Sequence, residues 1–292
     1  MMGNKKICYE IAALAVGVVV CVSSCGPDAI ENIGIRFDSP AATASPTPMV
    51  FADGAVAVEN VRFDFDAGLI ERVEVSETPA FRLEDENSKP SVVGARSLEF
   101  VLRDRKGDER AWIAVFKIAE YKEAFSLVPH NLGRRDEDLQ SVIRNSSLDK
   151  TWGIDQPVHV RWLDASHDFY ARAQVVNFKG GRGLLMLTQI GVDAASLITN
   201  EGIEYYFQGI TDDGVYFVEM SFVVNMAGLP PSMKPAIAKD YGLPEAYYLD
   251  QHREIFRKYA MKMAKEIDSA PDDRFDPNPN QIRAFIESFQ IR

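Results

Sequence analysis

The chain has 292 residues, a formal net charge of −11, 46% hydrophobic residues and three cysteines. That length holds one large domain or two small ones, and the apolar share is ordinary for a globular protein. The acidic balance argues against nucleic acid as a partner and against flat contact with anionic lipid head groups; solubility is its plainer use.

Lys5 and Lys6 form a small positive head, and Ile11 to Val22 form an apolar run of twelve residues that ends in Ser23, Ser24 and Cys25. The run is too short to span a bilayer, which takes about 20 apolar residues. A basic head, a short apolar run and small residues read as a cleavable export signal. Val22-Ser23-Ser24-Cys25 resembles the lipobox of a bacterial lipoprotein signal peptide. The resemblance implies that residues 1–24 are removed and that Cys25, the new N-terminus, carries a diacylglycerol on its sulfur. Tyr9 and Glu10 at the junction and Cys21 inside the run depart from the pattern. An uncleaved anchor or an ordinary secretory signal is the alternative. With the leader go Cys8 and Cys21, so the mature chain keeps only the cysteine that the anchor uses. Two or more acyl chains hold stably where one is marginal. The bilayer is thus one expected partner and the cell envelope the expected location. The resemblance also carries a sorting rule, and Gly26 in place of aspartate favours an outer membrane where the host has one, otherwise the outer face of the cytoplasmic membrane.

Residues 25–48 read as a tether. Pro27, Pro40, Pro46 and Pro48 punctuate a stretch with few large apolar residues, which cannot bury enough to order itself. A single domain is expected over residues 49–292. Val61 to Asp66 alternates apolar and polar, as a half-buried strand does, and Ile70 to Val75 follows as its partner. Glu84 to Pro90 is a polar loop, Ser97 to Leu102 a third strand, and Asp104 to Glu109 a charged turn. Ala111 to Ile118 is apolar on both faces, as a central strand would be. Helical spacing follows over Ala119 to Val128 and Glu137 to Leu148, the second opened by Asp136 as N-cap. Two hairpins come next, Phe169–Phe178 with Leu184–Ile190, and Glu204–Gln208 with Val215–Val224. The Asp213-Gly214 pair inside the second is the strongest short-range hairpin signal in the chain. Leu229-Pro230-Pro231 ends the sheet, and residues 231–292 are helical. Tyr248, His252, Ile255, Phe256, Tyr259, Met263 and Ile267 make one apolar stripe, and Asn278-Pro279 opens a last helix carrying Ile282, Phe285, Ile286 and Phe289. The expected fold is therefore α+β: a mainly antiparallel, twisted sheet of about eight strands with helices packed on it. A layered arrangement like that of PsbP/Mog1-type domains is one analogy.

Chemistry is sparse. Gly180-Gly181-Arg182-Gly183 joins strand to strand, whereas a phosphate-cradling loop joins strand to helix; it reads as a turn. Thr211 to Gly214 offers two carboxylates, but Val215, Tyr216 and Phe217 add none of the further oxygen ligands that calcium needs. His130, His159, His167 and His252 are scattered, and the spacing of eight between His159 and His167 fits no zinc pattern. No G-x-S-x-G elbow exists. No metal or other cofactor is expected. The aromatic hairpin, above all Tyr205, Tyr206, Phe207 and Tyr216, is the candidate for receiving a protein, small-molecule or glycan ligand, against a plainer reading as cross-strand pairing and core.

Tyr205 to Val218 also resembles a segment of uncharacterised bacterial exported proteins and lipoproteins, whose pattern is Y-x-F-Q-G-L-T-x-D-G-x-Y-Y-V; Ile210 and Phe217 depart from it. Asn177 to Gly183 with Thr188-Gln189, and Val61 to Phe65 with Glu77 to Ala80, look like further segments of that group. The resemblance implies a shared domain and no reaction. The expectation is a membrane-anchored envelope lipoprotein with a non-enzymatic ligand- or partner-binding domain. The alternatives are an exported hydrolase built on scattered carboxylates with His159 and His167, and a structural subunit of an envelope complex.

Overall fold

A computed structural model describes residues 47–49, 54–66, 68–84, 90–126, 137, 139–141, 166–191, 197–232, 239–243 and 249–292. The leader, Cys25, the tether up to residue 46, His130 and His159 lie outside the described residues, as does most of the expected helix after Asp136.

Alternating strands build one large sheet. Its members are β1 (Thr47–Met49), β4 (Arg72–Thr78), β7 (Ser97–Arg103), β8 (Glu109–Lys117), β9 (Ser166–Phe178), β10 (Gly181–Gly191), β11 (Ile203–Thr211) and β12 (Tyr216–Val223). Their spatial order is β1-β4-β7-β8-β12-β11-β10-β9, and every pairing is antiparallel. The fold is α+β, as expected. β8 and β12 lie in the middle, which explains why residues 111–118 read apolar on both faces. β1 takes the last two residues of the expected tether, Thr47 and Pro48, into the sheet edge. Proline is tolerated there because an edge strand has one side unpaired. β13 (Asn225–Met226) and β14 (Phe275–Asp276) pair antiparallel as a short ribbon, and β2 (Ala55–Val58) and β3 (Val61–Asp64) pair with the C-terminal β15 (Gln290–Ile291) in a smaller sheet. β5 (Phe81–Glu84) and β6 (Pro90–Gly94) form a separate hairpin around the expected polar loop.

One face of the large sheet is oily. Val73, Phe100, Ile113, Met220, Phe207 and Leu185 on it are all fully buried. It is covered by α2 (Leu249–Ser269), α3 (Pro279–Ser288) and the β15-β3-β2 sheet. Each such side chain removed from water contributes about 1.5–3 kcal/mol. α2 contributes Phe256, Tyr259, Met263 and Ile267. Ile255, expected on the same stripe, is 45% exposed, because at 100° per residue it sits beside the buried arc rather than within it. α3 starts as its sequence requires: Asn278 caps it, accepting from the Asn280 N–H at 2.9 Å, while the Gln281 side chain accepts from the Asn278 N–H at 2.9 Å. Phe63, Phe285 and Phe289 then pack together with Phe100.

Two local devices close this layer. Gly183 and Gly209 are directly opposed on β10 and β11, and a Cβ on Gly183 would meet the Gln208 carbonyl at 2.3 Å and the Phe207 ring at 2.4 Å. The missing side chains let Phe178 and Phe207 lie on the backbone. Arg172 sits at a bulge of β9 with φ of +54°. Its guanidinium donates to the Ala270 carbonyl at 2.7 Å and to the Asp272 carboxylate, and lies 4.8 Å from the Phe275 ring centre. A cation there satisfies carbonyls that the end of α2 leaves open.

Candidate binding face

The opposite face of the large sheet is divided. At the end where α1 (Ile118–Ser126) begins, it is apolar and closed: Phe116, Tyr121 and Phe217 stack with ring centres about 6 Å apart or less. Toward the other end the same face turns polar. Directly opposed residues across adjacent strands share a face, so the pairings place three rows side by side. One row runs Ser76, Glu99, Ala114, Glu219, Gln208, Leu184. The next runs Glu74, Val101, Trp112, Ser221, Tyr206, Met186. The third brings Val223, Glu204, Thr188 and Tyr170 together.

Hydrogen bonds tie the rows. The Tyr206 hydroxyl donates to Glu219, and the Ser221 hydroxyl to Glu204. Trp112 Nε1 donates to Glu99 Oε2 at 3.4 Å, and Ser97 Oγ to Glu99 Oε1 at 2.8 Å. Tyr206 and Ser221 are direct partners, and Glu204 and Glu219 flank this pair from opposite ends along the strands. The floor is buried: Glu219 is 1% exposed, Gln208 0% and Tyr206 2%. Its rim opens to solvent, since Glu99, Trp112, Glu204 and Ser221 are half-buried and Val223 is exposed. Removing a carboxylate from water is costly unless hydrogen bonds or a counter-charge compensate. Burial pushes the Glu204 carboxyl up to about 7; its Ser221 hydrogen bond opposes this, and the charges of Glu219 and Glu109 add to it. Burial likewise raises Glu109, against the pull of Arg103.

The aromatic hairpin residues divide between the layers. Tyr205 and Phe207 are buried on the oily face and Tyr206 on the polar one. Only Tyr216 is half-buried, its N–H donating to Thr211 Oγ1 at 3.0 Å. These aromatics therefore do not share one surface: neighbours along a strand point to opposite faces, so Tyr205 and Phe207 join the oily layer and Tyr206 the floor of the polar face. Asp213 accepts from Thr211 Oγ1 at 2.6 Å and from the Val215 N–H at 3.0 Å, so it shapes its own turn. Gly180 lies at φ of +88° in the β9–β10 turn, as a strand-to-strand connection requires. His167 belongs to β9 and His252 to α2. Among the described residues no group of three or more His, Cys, Asp or Glu is placed to hold a metal ion, and no helix is long and apolar enough to cross a membrane. The polar face itself escaped sequence reasoning. Its signal was present as Glu204-x-Tyr206-x-Gln208 and Glu219-x-Ser221, polar residues at every second position of strands that otherwise read as core.

Comparison with protein-family models, with curated proteins and with solved structures finds no match.

Proposed function

We propose that the protein is a lipid-anchored envelope protein whose domain binds a ligand on the half-open polar face of its central sheet. The leader and its lipobox-like end support the anchor. The observation that carries the binding reading is the floor around Tyr206 and Ser221. Three carboxylates, Glu99, Glu204 and Glu219, are set there on the middle strands beside a half-buried tryptophan. Middle strands of a sheet are normally apolar on a packed face, and a polar cluster that is half-buried at its rim offers hydrogen-bonding groups to a ligand. Carboxylates accept hydrogen bonds, and an indole offers a flat surface and an N–H. That combination suits a donor-rich ligand such as a glycan or an amine. The test is to pass a host envelope extract over the immobilised domain and identify retained molecules by mass spectrometry. A species kept by the parent chain and lost by both Trp112→Ala and Glu204→Gln supports the reading; identical retention by all three contradicts it.

One observation favours a second reading, an exported hydrolase. Glu204, with a carboxyl pushed up to about 7 and Glu219 on the same face, has the poise of a general acid. Hydrolysis of an envelope polymer that disappears in Glu204→Gln would favour it over simple binding.

A further inference from the structure

We propose that the outer face of α2 docks on an anionic bilayer surface. The inference rests on the anchor reading only for bringing the domain close to a membrane. α2 turns Phe256, Tyr259, Ala260, Met263 and Ile267 inward. Its opposite face carries Lys258, Lys262 and Lys265, all exposed. Arg257 and Lys258 share one carboxylate, Glu254, at 3.1 and 3.5 Å, and Lys262 meets Glu266 at 3.7 Å. Residues 254–266 thus carry Arg257, Lys258, Lys262 and Lys265 against Glu254 and Glu266, a local excess of two positive charges on a chain whose net charge is −11. The whole-chain charge, which speaks against contact with anionic head groups, hides a strip of the opposite sign.

The strip is not only basic. The described residues expose six large hydrophobics. Two of them, Ile255 at 45% and Met261 at 38%, lie on this helix on either side of the lysine row, and a third, Tyr241, stands edge-on to Tyr259 at 6.0 Å. Basic residues that flank exposed apolar ones along a helix suit the interface of an acidic bilayer, where phosphates meet the lysines and acyl chains receive the apolar side chains. The layout permits the contact. The tether enters at β1, one edge of the sheet, and α2 packs on β9, the other edge. Seven strand spacings of about 4.8 Å separate the edges by about 34 Å. A tether of about 21 residues reaches at most about 70 Å.

The test is acetylation footprinting of the intact chain on vesicles of phosphatidylcholine alone or with phosphatidylglycerol, each lysine quantified by mass spectrometry. Pelleting with the neutral vesicles reads the anchor, and lysine protection on the acidic ones reads the docking, whether or not the anchor is present. Lys258, Lys262 and Lys265 are expected to lose reactivity several-fold on acidic vesicles only, with Lys106 in the far β7–β8 turn unchanged. High salt should reverse the protection. Each basic residue near an acidic surface is worth about fivefold in affinity, so Lys258→Glu with Lys262→Glu should weaken it by about 25-fold or more. Equal reactivity on both vesicles overturns the proposal. So does equal protection of Lys106, or equal protection by soluble polyphosphate without lipid.

Discussion

Replacing Arg172 by alanine is expected to cost about 3 kcal/mol of stability. The side chain is only 17% exposed, and its guanidinium serves three partners at once. The hydrogen bond to the buried Ala270 carbonyl, from a charged donor, is worth about 1.5–3 kcal/mol. The Asp272 ion pair adds no more than about 1 kcal/mol, because Asp272 is 40% exposed and screened by water. The approach to Phe275 adds about 0.5–1 kcal/mol. The Arg172 N–H bond to Asp268 is made by the backbone and survives the substitution, so the loss isolates the side chain. Unfolding entropy of about 2.1 cal/mol/K per residue over the roughly 245 residues from β1 onward turns 3 kcal/mol into a fall of about 6 °C in Tm. Lysine keeps the charge without the planar fork and should recover less than half of the loss. Urea unfolding of the three chains, with Tm measured alongside, checks both values. A loss below 1 kcal/mol for Arg172→Ala, or full recovery by Arg172→Lys, would refute the view that this fork fastens the segment after α2 to β9.

Other expectations follow from the same geometry. Burial keeps the folded Glu204 protonated up to about pH 7, whereas an ordinary glutamate loses its proton near 4.5; the folded state holds the extra proton between these values, so stability falls as pH rises through that window. The loss is about 2 kcal/mol after allowing for partial exposure, and urea titrations from pH 5 to 8 should show it flattened in Glu204→Gln, with the variant the more stable at pH 8. Tyr206→Phe removes a hydroxyl donor from the buried Glu219 carboxylate and should cost about 1–3 kcal/mol, read by the same unfolding assay; a neutral result would mean the bond carries no weight. Gly183→Ala drives a methyl into the Gln208 carbonyl and the Phe207 ring and should lower stability by at least about 2 kcal/mol, whereas alanine at Ala55 or Ala57 positions changed to serine on the exposed side of β2 should cost under 0.5 kcal/mol.

Much of the fold is written locally. The alternation at Val61–Asp64, the Asp213-Gly214 turn and the Asn278-Pro279 helix start each follow from side-chain period or backbone chemistry within a few residues, and each stands in the structure. The pairings that close the molecule are not local. Ile291 against Val61, or Met49 against Val73, leaves no mark in either short segment. The site shows the same divide. Single residues such as Tyr206 were visible as aromatic, but which face each occupies depends on register, and the polar floor gathers side chains from β7, β8, β11 and β12. Net charge misled in the same way: a sum over 292 residues cannot show that the lysines of α2 share one helix face.

The proposed attachment to the membrane through Cys25 is tested most directly by the intact mass of the chain extracted from its host envelope in mild detergent. The expected species begins at Cys25 and carries added acyl mass. A chain that begins elsewhere, or begins at Cys25 with no added mass, would contradict it.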